Sequence, residues 1–207
     1  MDTQRLTMLL VCHANLCRSP MAERLAVAAF ERLPDPVAVQ VGSAGTHAQP
    51  DRPMHPYAAE VLAEHGCDGA DFRSRRLTGQ LVAEADLVLT ATRAQRTACV
   101  QLHPAAVGRT FTLRQFARYV PVLLRADAAA PASGRTVVDE LPAARVRAVL
   151  AAIADLREQL PVAGEADDLP DPVRLPVQAF RACAAELNQT WSAVAAVIAA
   201  GRPADPR

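Results

Sequence analysis

The sequence predicts an α/β protein: one domain over residues 1–207, built on a doubly wound, four-stranded parallel sheet flanked by helices, with its active loop after the first strand. Two observations carry this reading. Short apolar runs alternate along the chain with stretches of helical periodicity, the pattern of repeated β-α-β units. The runs also lack in-out alternation, as expected for parallel strands buried on both faces. The composition agrees, because a 51% hydrophobic fraction with only 4% aromatics suits alanine-rich helices on a sheet better than an all-β sandwich. A chain of 207 residues can bury one substantial core but is short for two domains.

The first strand is "LTMLLVC", residues 6–12, a continuous apolar run closed by turn-forming residues. Ser19-Pro20 then reads as a helix start, with Ser19 as N-cap and Pro20 in the first helical position, ahead of "MAERLAVAAFERL". A second strand is expected in 37–46, and a helix over 55–66 that Gly66 can terminate. "ADLVLTAT" (85–92) supplies the third strand, 93–103 a helix, and "RTFTL" (109–113) a fourth, edge strand. Residues 122–135 read as a loop and 141–160 as a helix, together a helical insertion at about 120–165. A proline-broken acidic loop (161–176), an amphipathic helix (177–201) and a frayed tail complete the chain.

Charge and cysteine content limit the functions open to this chain. The 22 basic and 22 acidic residues cancel, so no net field draws the protein to nucleic acid or to an anionic membrane. All the basic residues are arginine, which excludes lysine Schiff-base chemistry. Five cysteines at irregular spacing do not form a disulfide framework and imply a reducing, cytoplasmic compartment. No stretch has the length of a membrane span, and the N-terminal apolar run is too short for a signal peptide.

Chemistry concentrates in "VCHANLCRSP", residues 11–20, at the carboxyl end of the first strand, where ligands of such sheets bind. A tight turn there brings the backbone N–H groups of His13, Ala14, Asn15, Leu16, Cys17 and Arg18 into one concavity, a nest for an anion at a helix N-terminus. Arg18 adds a planar, permanently charged fork suited to two phosphate oxygens. In that surrounding the Cys12 thiol is expected well below its free value of about 8.5 and so nucleophilic. The Ser19 hydroxyl can hydrogen-bond the sulfur and stabilise it again as a leaving group. Asn15 is the residue type that tolerates a left-handed backbone where no glycine is present.

This loop resembles the signature of the low-molecular-weight protein tyrosine phosphatases, V-C-x-x-N-x-C-R-S-P. "GSAGT" (42–46), "RSRRLT" (73–78), "ADLVLTATRAQR" (85–96), "RTFTLRQFAR" (109–118) and "LPDP" (169–172) follow in the family's order. The resemblance implies a cysteine-dependent phosphomonoesterase acting through a phosphocysteine, with protein phosphotyrosine or a small aryl phosphate as substrate. Cys12 would be the nucleophile and Arg18 the phosphoryl clamp, and Asp171 the acid that protonates the leaving oxygen and then the base that activates water. The residue types alone do not separate Asp171 from Asp167 and Asp168. Ser43 matches a position that supports the loop asparagine. Neither metal nor organic cofactor is needed.

Some positions depart from the family pattern. Ala14 stands where glycine is frequent, and Phe72 where members often have a histidine beside the asparagine and serine. Val173 follows Asp-Pro where an aromatic usually walls the pocket. Competing readings are a thioredoxin-coupled arsenate reductase, which needs two further cysteines where Cys99 stands alone, and a phosphatase for a small metabolite or for phosphoarginine. The phosphoarginine branch carries threonine where this chain has Leu16. Curling of the loop is expected to bring Cys17 near Cys12, a pair able to form a protective disulfide. His55, His65 and His103 lack metal-ligand spacing and read as surface residues.

Overall fold

The computed structural model describes residues 6–33, 39–120 and 164–200. The expected insertion at 120–165, including the helix over 141–160, and the tail after 201 lie outside the described residues apart from their margins. Four parallel strands form one sheet in the order β2-β1-β3-β4: β1 Leu6–Cys12, β2 Val39–Gly45, β3 Leu87–Thr90 and β4 Thr110–Thr112. The strand order reverses at β1, with β2 on one side and β3 on the other, so the crevice of the sheet opens beyond Cys12.

Side-chain alternation along β1 assigns the two faces. Leu6, Met8, Leu10 and Cys12 enter one buried cluster, and Leu9 and Val11 enter the other. The first face is covered by α1 (Arg18–Glu31), α2 (Pro56–Glu64) and α5 (Val177–Ala200), which bring Met21, Leu25, Leu62, Phe180 and Trp191 into the core. The second face packs on α3 (Gly79–Glu84) and α4 (Arg93–Leu102) through Val82 and Cys99. The period of two therefore places the Cys12 side chain on the α1 side, under that helix's N-terminus.

Local sequence chemistry sets the helix ends. The hydroxyls of Thr78 and Thr92 accept from Leu81 N–H and Gln95 N–H and cap α3 and α4. Gly66, at φ +73°, closes α2 in the left-handed conformation that glycine adopts without strain. The start of α1 differs from the expectation. Cys17, with no side-chain hydrogen bond, occupies the N-cap, and Ser19 lies inside the helix. The first intrahelical bond is Met21 N–H to Cys17 O, 3.0 Å, so the turn begins two residues earlier than Ser19-Pro20 suggests. The short helix α3 falls in a stretch where the sequence pattern predicts no element. No helix among the described residues is long and apolar enough to cross a membrane.

Leu89 sits in β3, paired on both sides and fully buried at 0% exposure. Its truncation to alanine removes core contacts that neither neighbouring strand can move to replace. Leu89→Ala is expected to lower unfolding stability by about 2–5 kcal/mol, measured by urea denaturation.

Candidate active site

The loop from Cys12 to Ser19 is held from three sides. From the end of β2, Thr46 N–H donates to Cys12 O at 3.0 Å and His47 N–H to His13 O at 2.8 Å. Gly45 passes so close beneath that a Cβ would lie 2.7 Å from His13 O and 2.8 Å from Asn15 N. From the segment before α2, His55 N–H donates to Leu16 O at 2.9 Å. Asn15 adopts φ 56°, the left-handed turn that the loop requires in place of a glycine.

Asn15 is fully buried at 0% exposure, and its side chain is fully engaged. Its Nδ2 donates to Ser19 Oγ at 2.9 Å and to Ser43 Oγ at 2.8 Å. Its Oδ1 accepts from Arg75 N–H at 2.9 Å. The sulfur of Cys12 receives two donors in turn, the Asn15 N–H at 3.3 Å and the Ser19 hydroxyl at 3.0 Å. Ser19 thus faces the sulfur rather than capping the helix. The amides of Arg18 and Ser19 precede the first intrahelical bond, so the positive end of α1 opens on the same space.

Arg18 has a side chain only 5% exposed, and its guanidinium bridges to the acidic loop. Nη1 donates to Leu169 O at 3.0 Å, and Nη2 to Asp171 Oδ2 at 2.5 Å. The structure separates the three acidic candidates. Asp167 is ion-paired with Arg118 and has a side chain 3% exposed. Asp168 accepts from the Arg93 backbone N–H at 2.8 Å and from its guanidinium. Burial pushes the Asp168 carboxyl up, but the hydrogen bonds from Arg93 outweigh it and hold it below the usual carboxylate range. Asp171 alone of the three reaches the loop. Arg114, fixed by Glu186, donates to Asp168 O at 2.7 Å, and Leu169 N–H donates to Ala91 O at 2.8 Å, so the acidic loop is anchored along its length. The anchors Arg75, Arg93 and Arg114 were not singled out from the sequence, because their roles depend on segments brought together only by the fold.

The remaining loop residues point elsewhere. His13 is exposed and stacks on His47 with ring centroids 4.4 Å apart. Ala14 and Leu16 are half-buried. Cys17 is buried at the start of α1; burial pushes its thiol up to about 12, and Cys12 and Asp171 act in the same sense against Arg18. All five cysteines are free thiols. The three histidines expected on the surface are half-buried instead. His55 stacks on Phe180 at 4.8 Å and accepts the Tyr57 N–H through Nδ1 at 3.2 Å, while the ring of His65 is hydrogen-bonded to Asn188. On the rim of the site Val173 is 40% exposed, and its N–H donates to Asp171 Oδ1 at 3.3 Å.

Residues 7–133 match the sequence model described as low molecular weight phosphotyrosine protein phosphatase. The chain is 42% identical over 113 residues to a probable low molecular weight protein-tyrosine-phosphatase, EpsP, of Ralstonia nicotianae, covering 55% of this chain and 74% of that protein. It is 36% identical over 106 residues to the protein-arginine-phosphatase of Bacillus subtilis, covering 51% and 69%. Among solved structures it is similar to the YwlE arginine phosphatase from Geobacillus stearothermophilus, with TM-score 0.62, 28% identity, and 92% and 90% of the two chains covered.

The absence of a side chain at Gly45 is what lets the loop curl. Gly45→Ala is expected to push the backbone of residues 13–15 outward, to raise the Kd for inorganic phosphate at least about tenfold, measured by calorimetry, and to lower thermal stability as well, because the atoms that must give way are backbone.

Proposed function

The chain belongs to the low-molecular-weight protein tyrosine phosphatase family and is a cysteine-dependent phosphomonoester hydrolase, and on that premise we propose that Cys12, Arg18 and Asp171 carry the reaction on a phosphorylated protein, with phosphotyrosine as the preferred group. The observation that carries the assignment is the convergence on one space of the doubly donated sulfur, the α1 N-terminus, and an arginine shared with a carboxylate.

In the first step Cys12 Sγ attacks phosphorus in line, the P–O bond to the leaving group breaks, and the leaving oxygen takes a proton from Asp171. Loop amides and Arg18 hold the equatorial oxygens as charge spreads over them. In the second step Asp171 removes a proton from water, the water oxygen attacks the phosphocysteine, and the departing sulfur is received by the Ser19 hydroxyl and the Asn15 N–H. Substrate must exchange with an existing contact, because a phosphate oxygen that takes Arg18 Nη2 displaces the Asp171 carboxylate bonded there. The substrate thereby releases the Asp171 carboxylate, which takes up a proton from solvent before it serves as the acid.

The half-buried Leu16 offers an apolar surface beside the cradle, which favours an aryl ester. Relatedness to proteins named as arginine phosphatases makes phosphoarginine the second reading. A disulfide relay of the arsenate-reductase kind is disfavoured, because Cys99 is fully buried and burial pushes its thiol up to about 12. No described helix spans a membrane, and we place the protein in the cytoplasm on the strength of its unpaired cysteines.

Turnover of p-nitrophenyl phosphate tests the chemistry. Cys12→Ser is expected to fall to the uncatalysed level, and full activity in that variant would remove Cys12 from the mechanism. Asp171→Asn should lose about 10²–10⁴-fold on a phosphotyrosine peptide. Its loss should be smaller on p-nitrophenyl phosphate, whose better leaving group needs less protonation. A matched panel of phosphotyrosine and phosphoarginine peptides reads the substrate class: a higher kcat/KM on phosphoarginine would overturn the phosphotyrosine assignment and leave the Cys12 chemistry intact.

A further inference from the structure

Arg75 is exposed, and its side chain has no part in the reaction steps above. It nevertheless meets the Asn15 network twice. Its backbone N–H donates to Asn15 Oδ1 at 2.9 Å, and its side-chain Nε donates to Ser43 O at 2.7 Å. The second bond falls on the open edge of the sheet, because β2 is an outermost strand and alternate residues along it turn their backbone groups outward. At Gly45 those groups pair with the chain itself, Gly45 N–H donating to Arg75 O at 3.0 Å and Leu77 N–H to Gly45 O at 2.9 Å. Two residues earlier, at Ser43, the carbonyl is taken by the Arg75 side chain. A Cβ at Gly42 would lie 2.4 Å from Arg75 Nη2, so the guanidinium lies across β2 on a spot that glycine leaves bare.

These contacts close a ring. Asn15 Oδ1 accepts from Arg75, Ser43 O accepts from Arg75 Nε, and Ser43 Oγ accepts from Asn15 Nδ2 at 2.8 Å, so the carboxamide is held by two residues that are also bonded to each other. The ring bears on the sulfur, because both donors to it run through Asn15. The Asn15 N–H reaches Cys12 Sγ at 3.3 Å, and Nδ2 holds the Ser19 hydroxyl, which reaches Cys12 Sγ at 3.0 Å. Asn15 keeps its φ of 56° only while its surroundings over-determine it. Phe72, 5% exposed and part of the apolar core, adds no polar group to the ring. Without Arg75 Nε the link between the two holders is broken, and the N–H on Asn15 Oδ1 depends for its place on the Gly45 pairing.

We propose that Arg75 is a positioning residue for Cys12: its side chain, by donating from Nε to Ser43 O, closes the Asn15–Ser43–Arg75 ring that holds the Asn15 carboxamide, and with it the two donors on Cys12 Sγ. The role belongs to the N–H at Nε and not to the positive charge. The inference rests on the phosphatase reading for its kinetic effect, while its effect on the sulfur is read without substrate.

The test is the rate of iodoacetate alkylation of Cys12 against pH, followed on the Cys12 peptide by mass spectrometry, beside kcat and KM for p-nitrophenyl phosphate. Two variants separate the hydrogen bond from the charge. Glutamine carries an N–H donor as far along its side chain as arginine Nε, and methionine has the same reach with no donor; both keep the backbone N–H to Asn15. Arg75→Met is expected to alkylate about 3- to 10-fold more slowly than wild type at about pH 6, the size of one lost hydrogen bond, and to converge with it by about pH 9, where the thiolate forms without help. Its kcat should fall by a similar factor with KM within about twofold. Arg75→Gln should stay within about twofold of wild type in both assays. A wild-type alkylation profile in Arg75→Met, or an Arg75→Gln as slow as the methionine variant, would overturn the proposal. Should Arg75→Met fail to fold, Gly42→Val fills the place of the guanidinium from the strand side: slowed alkylation at about pH 6 supports the ring, and a wild-type profile refutes it. Wild-type protein that alkylates at Cys12 but hydrolyses no phosphomonoester would sink the phosphatase reading and leave the alkylation comparison to judge Arg75 by itself.

Discussion

The side chain of Asn15 holds the loop in a shape that the backbone would not keep unaided. A non-glycine residue at φ 56° is strained by about 1–2 kcal/mol, less for asparagine than for other types. Three side-chain hydrogen bonds, two of them buried and one half-buried, each worth about 0.5–1.5 kcal/mol, exceed that strain and tie the turn to α1, to β2 and to the 73–78 segment at once. The same turn aims the Asn15 amide at Cys12 Sγ. Sheet register supplies the other half of the arrangement, because Cys12 pairs with Gly45, the residue small enough to let the loop fold back over β2.

The acidic loop is ordered by a different kind of interaction. Exposed ion pairs taken singly are worth about 0–1 kcal/mol. Here Arg93, Arg114 and Arg118, from α4 and the chain just after β4, converge on four consecutive residues, 166–169 or their carbonyls, together with Arg18 and Ala91 O. Their joint effect is geometric: Asp167 and Asp168 are consumed as anchors, and Asp171 is delivered to the cradle. Coulombic attraction would serve Asp167 as well as Asp171 for an arginine clamp, so the fold, through where each partner sits, decides which carboxylate reaches Arg18.

Much of this was legible in the sequence because it is local. The apolar run of β1, the need for a left-handed residue at Asn15, and the adjacency of Arg18 to a helix start all follow from neighbours within a few positions. Ser-Pro is a good helix opening and so points to Ser19 as the cap, but the tight loop closes its first helical bond at Cys17, and the hydroxyl is drawn to the sulfur instead. The six-residue α3 is too short for periodicity to show, and only its Thr78 cap marks it. Arg75 contributes a backbone N–H to Asn15, sixty residues away, and a backbone group carries no signal in a side-chain alphabet. Histidine spacing in the sequence carries no sign of an aromatic neighbour such as Phe180, which reaches His55 from the last helix.

The buried and exposed parts of the site divide its two tasks. On the proposed function, phosphate presents the same three oxygens whether it arrives on tyrosine or on arginine, so the deep groups, Cys12, Asn15, Arg18 and Ser19, all at most 4% exposed, would not tell the two apart. Discrimination has to act on the leaving group, which projects past the rim. There the chain places a half-buried Leu16, an exposed Val173 and a His13–His47 stack whose backbones are joined by a 2.8 Å hydrogen bond. An aliphatic residue after Asp-Pro removes one aromatic face from the pocket mouth, and the imidazole stack supplies a flat surface from the β2 side. Among the described residues the rim is tied to the Asn15 network through the loop backbone, so on the proposed function a change of rim side chain can alter the fit of the leaving group without touching the hydrogen bonds around Cys12.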